Sequence, residues 1–124
     1  MGYVQVLAGF GTAEDNTTEI TFLVDTGSFY TIVPQELADT AGIQATVNTR
    51  ARTADNRSIP MATGMAYMKL LGREAAVPVG ILDVPMPLLG VTALEGLGLK
   101  VNPVDQTVEL DRPFGPGLLG VSNG

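Results

Sequence analysis

Apolar and polar residues alternate along most of this chain with a period near two, the spacing of a strand that buries one face. Residues 3–10 alternate in this way, and residues 11–16 gather the Gly, Asp and Asn of a turn. Residues 18–24 are β-branched and apolar and run straight into Asp25, and Thr31–Val33 is a further short strand. Pro34 then opens a short helix over residues 35–40, because its fixed φ suits a helix start and its missing N–H is not needed there. Gly42 closes that helix. Residues 44–53 form a polar, alternating strand, 54–57 a turn, and 58–61 begin the return. Residues 65–71 are another strand, Gly72-Arg73 a tight turn and 74–82 its partner. Strands joined by short turns rich in Gly, Asn and Asp predict an antiparallel all-β domain.

The pattern changes after residue 82. Val84-Pro85-Met86-Pro87 is stiff and apolar and leads into Leu88-Leu89-Gly90. Val91–Leu97 carries helix-forming Ala, Leu and Glu and is stopped by Gly96 and Gly98. Residues 99–101, an Asn102-Pro103 turn and Thr107–Leu110 read as a last hairpin. From Asp111 onward the chain holds Pro113, Pro116 and four glycines. Residues 111–124 are therefore expected to form a loose tail, or one lying on a partner chain, and residues 1–110 the folded domain. There is no repeat of solenoid or propeller length.

Composition narrows the chemistry. With 124 residues, 45% of them apolar and 16% charged, the chain is expected to fold as one domain around an aliphatic core. A net charge of −6 argues against nucleic acid and anionic membranes as partners, since both require a basic face. There is no Cys, so disulfides and thiolate metal sites are excluded. There is no His either, which removes His-based triads and the commoner zinc sites. Acid–base work must fall to Asp, Glu, Lys or Tyr, with neither metal nor organic cofactor expected. The apolar stretch 77–89 is broken by Pro78, Asp83, Pro85 and Pro87 and cannot be a membrane helix. The N-terminus has no signal-peptide pattern, which favours the cytoplasm, with membrane association only through a longer chain. The formal sequon Asn16-Thr17-Thr18 is read as turn residues.

One segment stands out against this background. In Phe22-Leu23-Val24-Asp25-Thr26-Gly27-Ser28, three apolar residues deliver a carboxylate to the end of a buried strand. Such a carboxylate is costly unless neighbours hydrogen-bond it. Thr26 and Ser28 bring hydroxyls, and Gly27 lets backbone amides come close. The alternative is an ordinary turn or helix-capping Asp. The strand-like continuation Phe29-Tyr30-Thr31-Ile32 fits capping poorly.

The loop Val24-Asp25-Thr26-Gly27-Ser28, followed downstream by Leu88-Leu89-Gly90 and a helix, resembles the retroviral-type (retropepsin-like) aspartic proteases. The resemblance covers residues 3–110 in element order and is sharpest at 22–28 and 85–99. It implies a closed, barrel-like all-β fold of short antiparallel strands with a flap hairpin and one short helix. It also implies an aspartic endopeptidase. Two neighbouring carboxylates cannot both ionise, so the pair shares one proton; one acid then activates water while the other donates. This chain has a single Asp-Thr-Gly. The resemblance therefore implies a homodimer in which Asp25 of each chain meets at the two-fold axis, with a polypeptide as substrate.

The same resemblance implies roles for individual residues. Asp25, Thr26 and Gly27 would be catalytic, with Thr26 bonding across the axis and Gly27 receiving substrate backbone. Ser28 would hydrogen-bond the carboxylate. Residues 44–64 would be the flap, and Asp55 and Asn56 at its tip would touch substrate, as would Tyr30. Met86 and Leu88 would line the pocket, although both also suit the core. Leu89 and Gly90 would pack beneath the Asp loop. Phe29 and Val91 depart from retroviral members, which carry an acid and an arginine there, and point to a looser dimer or one held by apolar contact. Arg50, Arg52 and Arg57 cluster on the hairpin, which would otherwise be a solvated surface hairpin, and are also suited to steering an acidic substrate. Two rival readings remain: a dimerisation or peptide-binding module that does not cleave, and a protease domain cut from a longer polypeptide.

Overall fold

A computed structural model describes residues 3–53 and 55–111. Its elements run in the order β1 (Gln5–Ala13), β2 (Asn16–Val24), β3 (Thr31–Val33), α1 (Gln35–Ala41), β4 (Val47–Arg52), β5 (Ser58–Leu70), β6 (Arg73–Ile81), β7 (Leu88–Leu89), α2 (Val91–Leu97), β8 (Leu99–Asn102) and β9 (Thr107–Leu110). The strand order of the main sheet is β1-β2-β7-β3-β6-β5-β4, and β1 also pairs with β5. Those pairings close β1, β2, β7, β3, β6 and β5 into a ring, with β4 attached outside it on β5. Closure removes the free edges of the ring strands, and β4 is left as the edge. The closed all-β barrel expected from the sequence is therefore present.

Several local readings need correction. The turn expected at residues 11–16 is shorter, because β1 runs on through Ala13 and β2 begins at Asn16. The Asn16 amide donates to Thr12 Oγ1 at 2.7 Å. The pairings are not all antiparallel: β2 with β7 and β3 with β6 run parallel. Both segments read as helical from their residues are seven-residue helices, where the resemblance implied a single short one. Gly96 lies inside α2, and Gly98, at positive φ, is the residue that ends it.

The two return strands read as 58–61 and 65–71 are one strand, β5. Its buried positions change parity, from Met61 and Thr63 to Ala66, Met68 and Leu70, so the alternation breaks although the backbone does not. The break falls at Gly64, where a Cβ would lie 2.2 Å from the Gln44 carbonyl oxygen. Before it β5 serves β4, and from Ala62 onward it serves β6.

The core sits inside the ring. Phe10 and Phe22 meet edge to face with centroids 5.5 Å apart. Met68, Val77, Val79, Leu89 and the inner face of α2 (Ala93, Leu94, Leu97) pack with them. The tail expected from residue 111 lies outside the described residues apart from Asp111, whose N–H donates to the Gly98 carbonyl.

Candidate active site

The segment at residue 25 is built by a crossing of chains. β7 lies between the end of β2 and the start of β3, pairing Leu23 with Leu88, Val24 with Leu89, and Ile32 with Leu88. The Leu23 N–H donates to Pro87 O and the Asp25 N–H to Leu89 O, each at 2.9 Å. Leu89 is fully buried beneath them. The stiff apolar run before Leu88 thus delivers a strand that fixes the backbone of Asp25.

Gly90 completes the crossing. Its N–H donates to the buried Thr31 hydroxyl at 3.1 Å. A Cβ at Gly90 would lie 2.3 Å from Tyr30 O and 2.8 Å from Ser28 O, both backbone atoms. Only glycine permits that approach. The Val91 N–H then donates to Ser28 O at 2.7 Å, and the Thr92 hydroxyl bonds to Phe29 O. The loop from Asp25 to Tyr30 is therefore held from the far end of the chain by backbone bonds at several points.

The half-buried Asp25 carboxylate accepts the Gly27 N–H on Oδ1 at 3.0 Å. The expected bond from Ser28 to this carboxylate is absent. The Ser28 hydroxyl instead donates to Tyr30 O at 2.7 Å, where the chain bends into β3 and that carbonyl needs a partner. Thr26 is exposed, and its hydroxyl makes no hydrogen bond among the described residues. Gly27 is also exposed, and nothing in the fold demands glycine there. A Cβ would meet only Asp25 Oδ1, at 3.4 Å, an ordinary contact.

Asp25 opens into a cleft of about 660 Å³. The loop contributes Gly27, Ser28, Phe29 and Tyr30, and Leu88 comes from β7. β4 contributes Arg50, Ala51 and Arg52, with Thr53 just beyond. Ile32, Met61, Leu82 and Val84 line it with apolar surface. Asp25 is the one carboxylate among these lining residues. The expected residues Asp25, Gly27, Ser28, Tyr30 and Leu88 are brought together here, while Thr26, Asp55, Asn56 and Met86 are not among the lining.

Asp55 and Asn56 are engaged within the hairpin turn. Asp55 accepts the Thr53 hydroxyl and pairs with Arg57 at 2.8 Å, and the Thr53 hydroxyl foremost holds its carboxyl below the usual 3.8. Asn56 stands at φ 67° with its Oδ1 on Arg52. Met86 is half-buried in the approach to β7. Ile32, Met61, Leu82 and Val84 were not singled out from sequence, because an apolar residue that faces a cleft has the same pattern as one that faces the core. Among the described residues there is no cluster of acids able to hold a metal and no helix long and apolar enough to cross a membrane.

Comparison with known proteins bears on the family and the fold. Residues 11–122 match a family model described as aspartyl protease. Among solved structures, the EIAV protease complexed with the inhibitor HBY-793 superposes with a TM-score of 0.65 at 17% identity, covering 82% of this chain and 93% of that one. The simian foamy virus (mac) protease superposes with a TM-score of 0.54 at 15% identity, covering 73% of this chain and 91% of the other. At these identities the likeness concerns the fold. A sequence search of curated proteins returns no match.

Proposed function

The chain belongs to the aspartyl protease family, and from that premise we propose that it hydrolyses peptide bonds with two Asp25 carboxylates, one from each copy of a homodimer. The observation that carries this reading is the single carboxylate in the cleft, that of Asp25, whose backbone N–H donates to Leu89 O and whose Oδ1 accepts the Gly27 N–H. One such acid cannot both take a proton from water and give one to the substrate in the same step. A second copy related by a two-fold axis supplies the other. The likeness in fold to the EIAV and simian foamy virus proteases supports the same assembly.

In this mechanism the pair of acids holds one proton between them. The ionised carboxylate accepts a proton from a water molecule as its oxygen bonds to the peptide carbonyl carbon. The protonated carboxyl gives its proton to the carbonyl oxygen. Collapse of the tetrahedral species breaks the C–N bond, and the leaving nitrogen takes a proton back from the pair. The unengaged Thr26 hydroxyl is available to bond to the partner loop across the axis. Gly27 leaves bare backbone at the cleft floor, where an extended peptide can approach. Exposed Phe29, 61% accessible and stacked edge to face on Tyr30, supports an apolar contribution to the subunit contact where retroviral members use charge.

Asp25→Asn tests the reading. It should lower kcat/KM by at least about 10²–10⁴-fold, the contribution of a positioned acid–base group, while the protein stays folded and associated. Sedimentation across concentration should show a dimer wherever cleavage occurs. Undiminished cleavage by Asp25→Asn, or cleavage by a strict monomer, would overturn the shared-acid mechanism.

A further inference from the structure

Apart from the Asp25 cleft, a smaller hollow of about 250 Å³ lies between the start of β1, the β5–β6 turn and the start of β9. Val6, Leu7, Leu70, Leu71 and Val108 give it an apolar lining. Leu7 and Leu71 are 55% and 53% exposed, so this surface is open among the described residues. The turn that presents Leu71 is a two-residue one, with Leu70 paired to Arg73 across it. Leu71 stands there at φ 54° and Gly72 at φ 75°. Turns of that hand favour Asn or Gly, and a leucine in the left-handed region is strained. The strain therefore holds an uncovered leucine beside the hollow. The apolar surface continues along β9. Val108 and Leu110 stand two apart, so their side chains share one face of that strand, and Leu110 is 51% exposed. Among the described residues β9 pairs with β8 alone, and a two-stranded sheet is marginal without something packed on it.

The chain beyond β9 has the composition to cover this track. Residues 113–124 carry no charged side chain and include Phe114, Leu118, Leu119 and Val121. A segment that remains in solvent is ordinarily poor in apolar residues and rich in charge. Pro113, Gly115, Pro116 and Gly117, which come first, are residues that reverse a chain. The match to the aspartyl protease model runs through residue 122, well past the end of β9. The geometry permits a return. The Asp111 N–H, bonded to Gly98 O at 2.8 Å, fixes where the segment sets out. From there to Leu118 an extended chain reaches at most about 24 Å. The way back along β9 from Asp111 to Val108 is about 10 Å, which leaves length for the reversal.

We infer that residues 118–121 fold back within their own chain and seat Leu118, Leu119 and Val121 in the groove bounded by Leu7, Leu71 and Val108. The terminal segment is then a packed part of the domain, and it covers the β8–β9 hairpin. This docking is independent of catalysis. Methyl NMR of the full chain tests it. Nuclear Overhauser contacts should join the methyls of Leu118, Leu119 and Val121 to those of Leu7, Leu71 and Val108. In an equal mixture of isotope-labelled and unlabelled chains the contacts should appear within one chain and not between chains. Contacts only between chains would give the groove to a second copy's terminal segment, and an absence of contacts would leave it uncovered; either result overturns the inference. Leu71→Asn suits the left-handed turn and so keeps the fold. In that variant the backbone amide relaxation of residues 118–121 should show more motion than in the parent. Leu118→Ser with Leu119→Ser should lower the melting temperature by about 5 °C. Unchanged relaxation in the first variant, or an unchanged melting temperature in the second, would equally overturn the docking.

Discussion

The floor and the roof of the cleft are built by opposite means. The floor, from Asp25 to Thr31 against β7 and the start of α2, is fixed by backbone bonds between segments some sixty residues apart and by the buried Leu89. The roof, the β4–β5 hairpin, is held beyond β4 by side chains of near neighbours: half-buried Thr53 and exposed Asp55, Asn56 and Arg57. Buried crossings have few alternatives, because each atom displaced leaves a polar group unpaired or a clash unrelieved. Exposed polar contacts can exchange with water at little cost. The floor is thus suited to holding a reactive group still, and the roof to moving over a substrate.

Substitutions should expose this difference in size of effect. The largest is expected at Gly90. Gly90→Ala forces a Cβ against the backbone carbonyls of Tyr30 and Ser28, which cannot swing aside as a side chain would. It should destabilise the fold by about 3 kcal/mol, the upper part of the overpacking range, in denaturant unfolding. A loss below about 1 kcal/mol would show that the crossing yields and that the floor is softer than described.

Thr31→Val comes next. It keeps the shape of the side chain but removes the acceptor of the Gly90 N–H in a fully buried position. The orphaned donor should cost about 1–3 kcal/mol. A cost near zero would mean that the amide finds another partner.

The smallest effect belongs to the roof. Asp55 is held below its ordinary value of 3.8, mainly by the Thr53 hydroxyl and with help from Arg57. Because the folded value is depressed, its contribution to the turn is fully present above the ordinary value. It is lost only as pH falls through the lower, folded one. The carboxyl carbon shift of Asp55, followed by NMR, should therefore titrate with a midpoint below 3.8. The global melting temperature of Asp55→Asn near neutral pH should match the parent. A midpoint at or above the ordinary value, or a clear drop in melting temperature, would make the roof as strongly built as the floor.

Much of the floor was legible in the chain. The motif at Asp25, Leu88-Leu89-Gly90, β3 and α1 could all be read from local patterns, because turns, caps and apolar runs act over a few residues. The unity of β5 could not, since a parity switch looks like a strand end unless the close passage of Gln44 over Gly64 is known. The neighbours of β7, β2 parallel and β3 antiparallel, were hidden for a similar reason: two apolar residues do not say which strands they will lie between. For the site, Asp25 and Gly27 declared themselves, whereas the apolar wall from Ile32, Met61, Leu82 and Val84 is drawn from separate segments.

By itself, the sequence settled which chemistry was available: no imidazole, no thiol, and one carboxylate set between apolar residues and a glycine. The strand pairings that close the ring and the setting of that carboxylate in its cleft were decided only in three dimensions. Composition and spacing constrain groups close along the chain, but the partner of a hydroxyl or a guanidinium depends on which distant segment packing brings beside it. The Thr31 hydroxyl meets the Gly90 N–H, 59 residues further along the chain, for that reason.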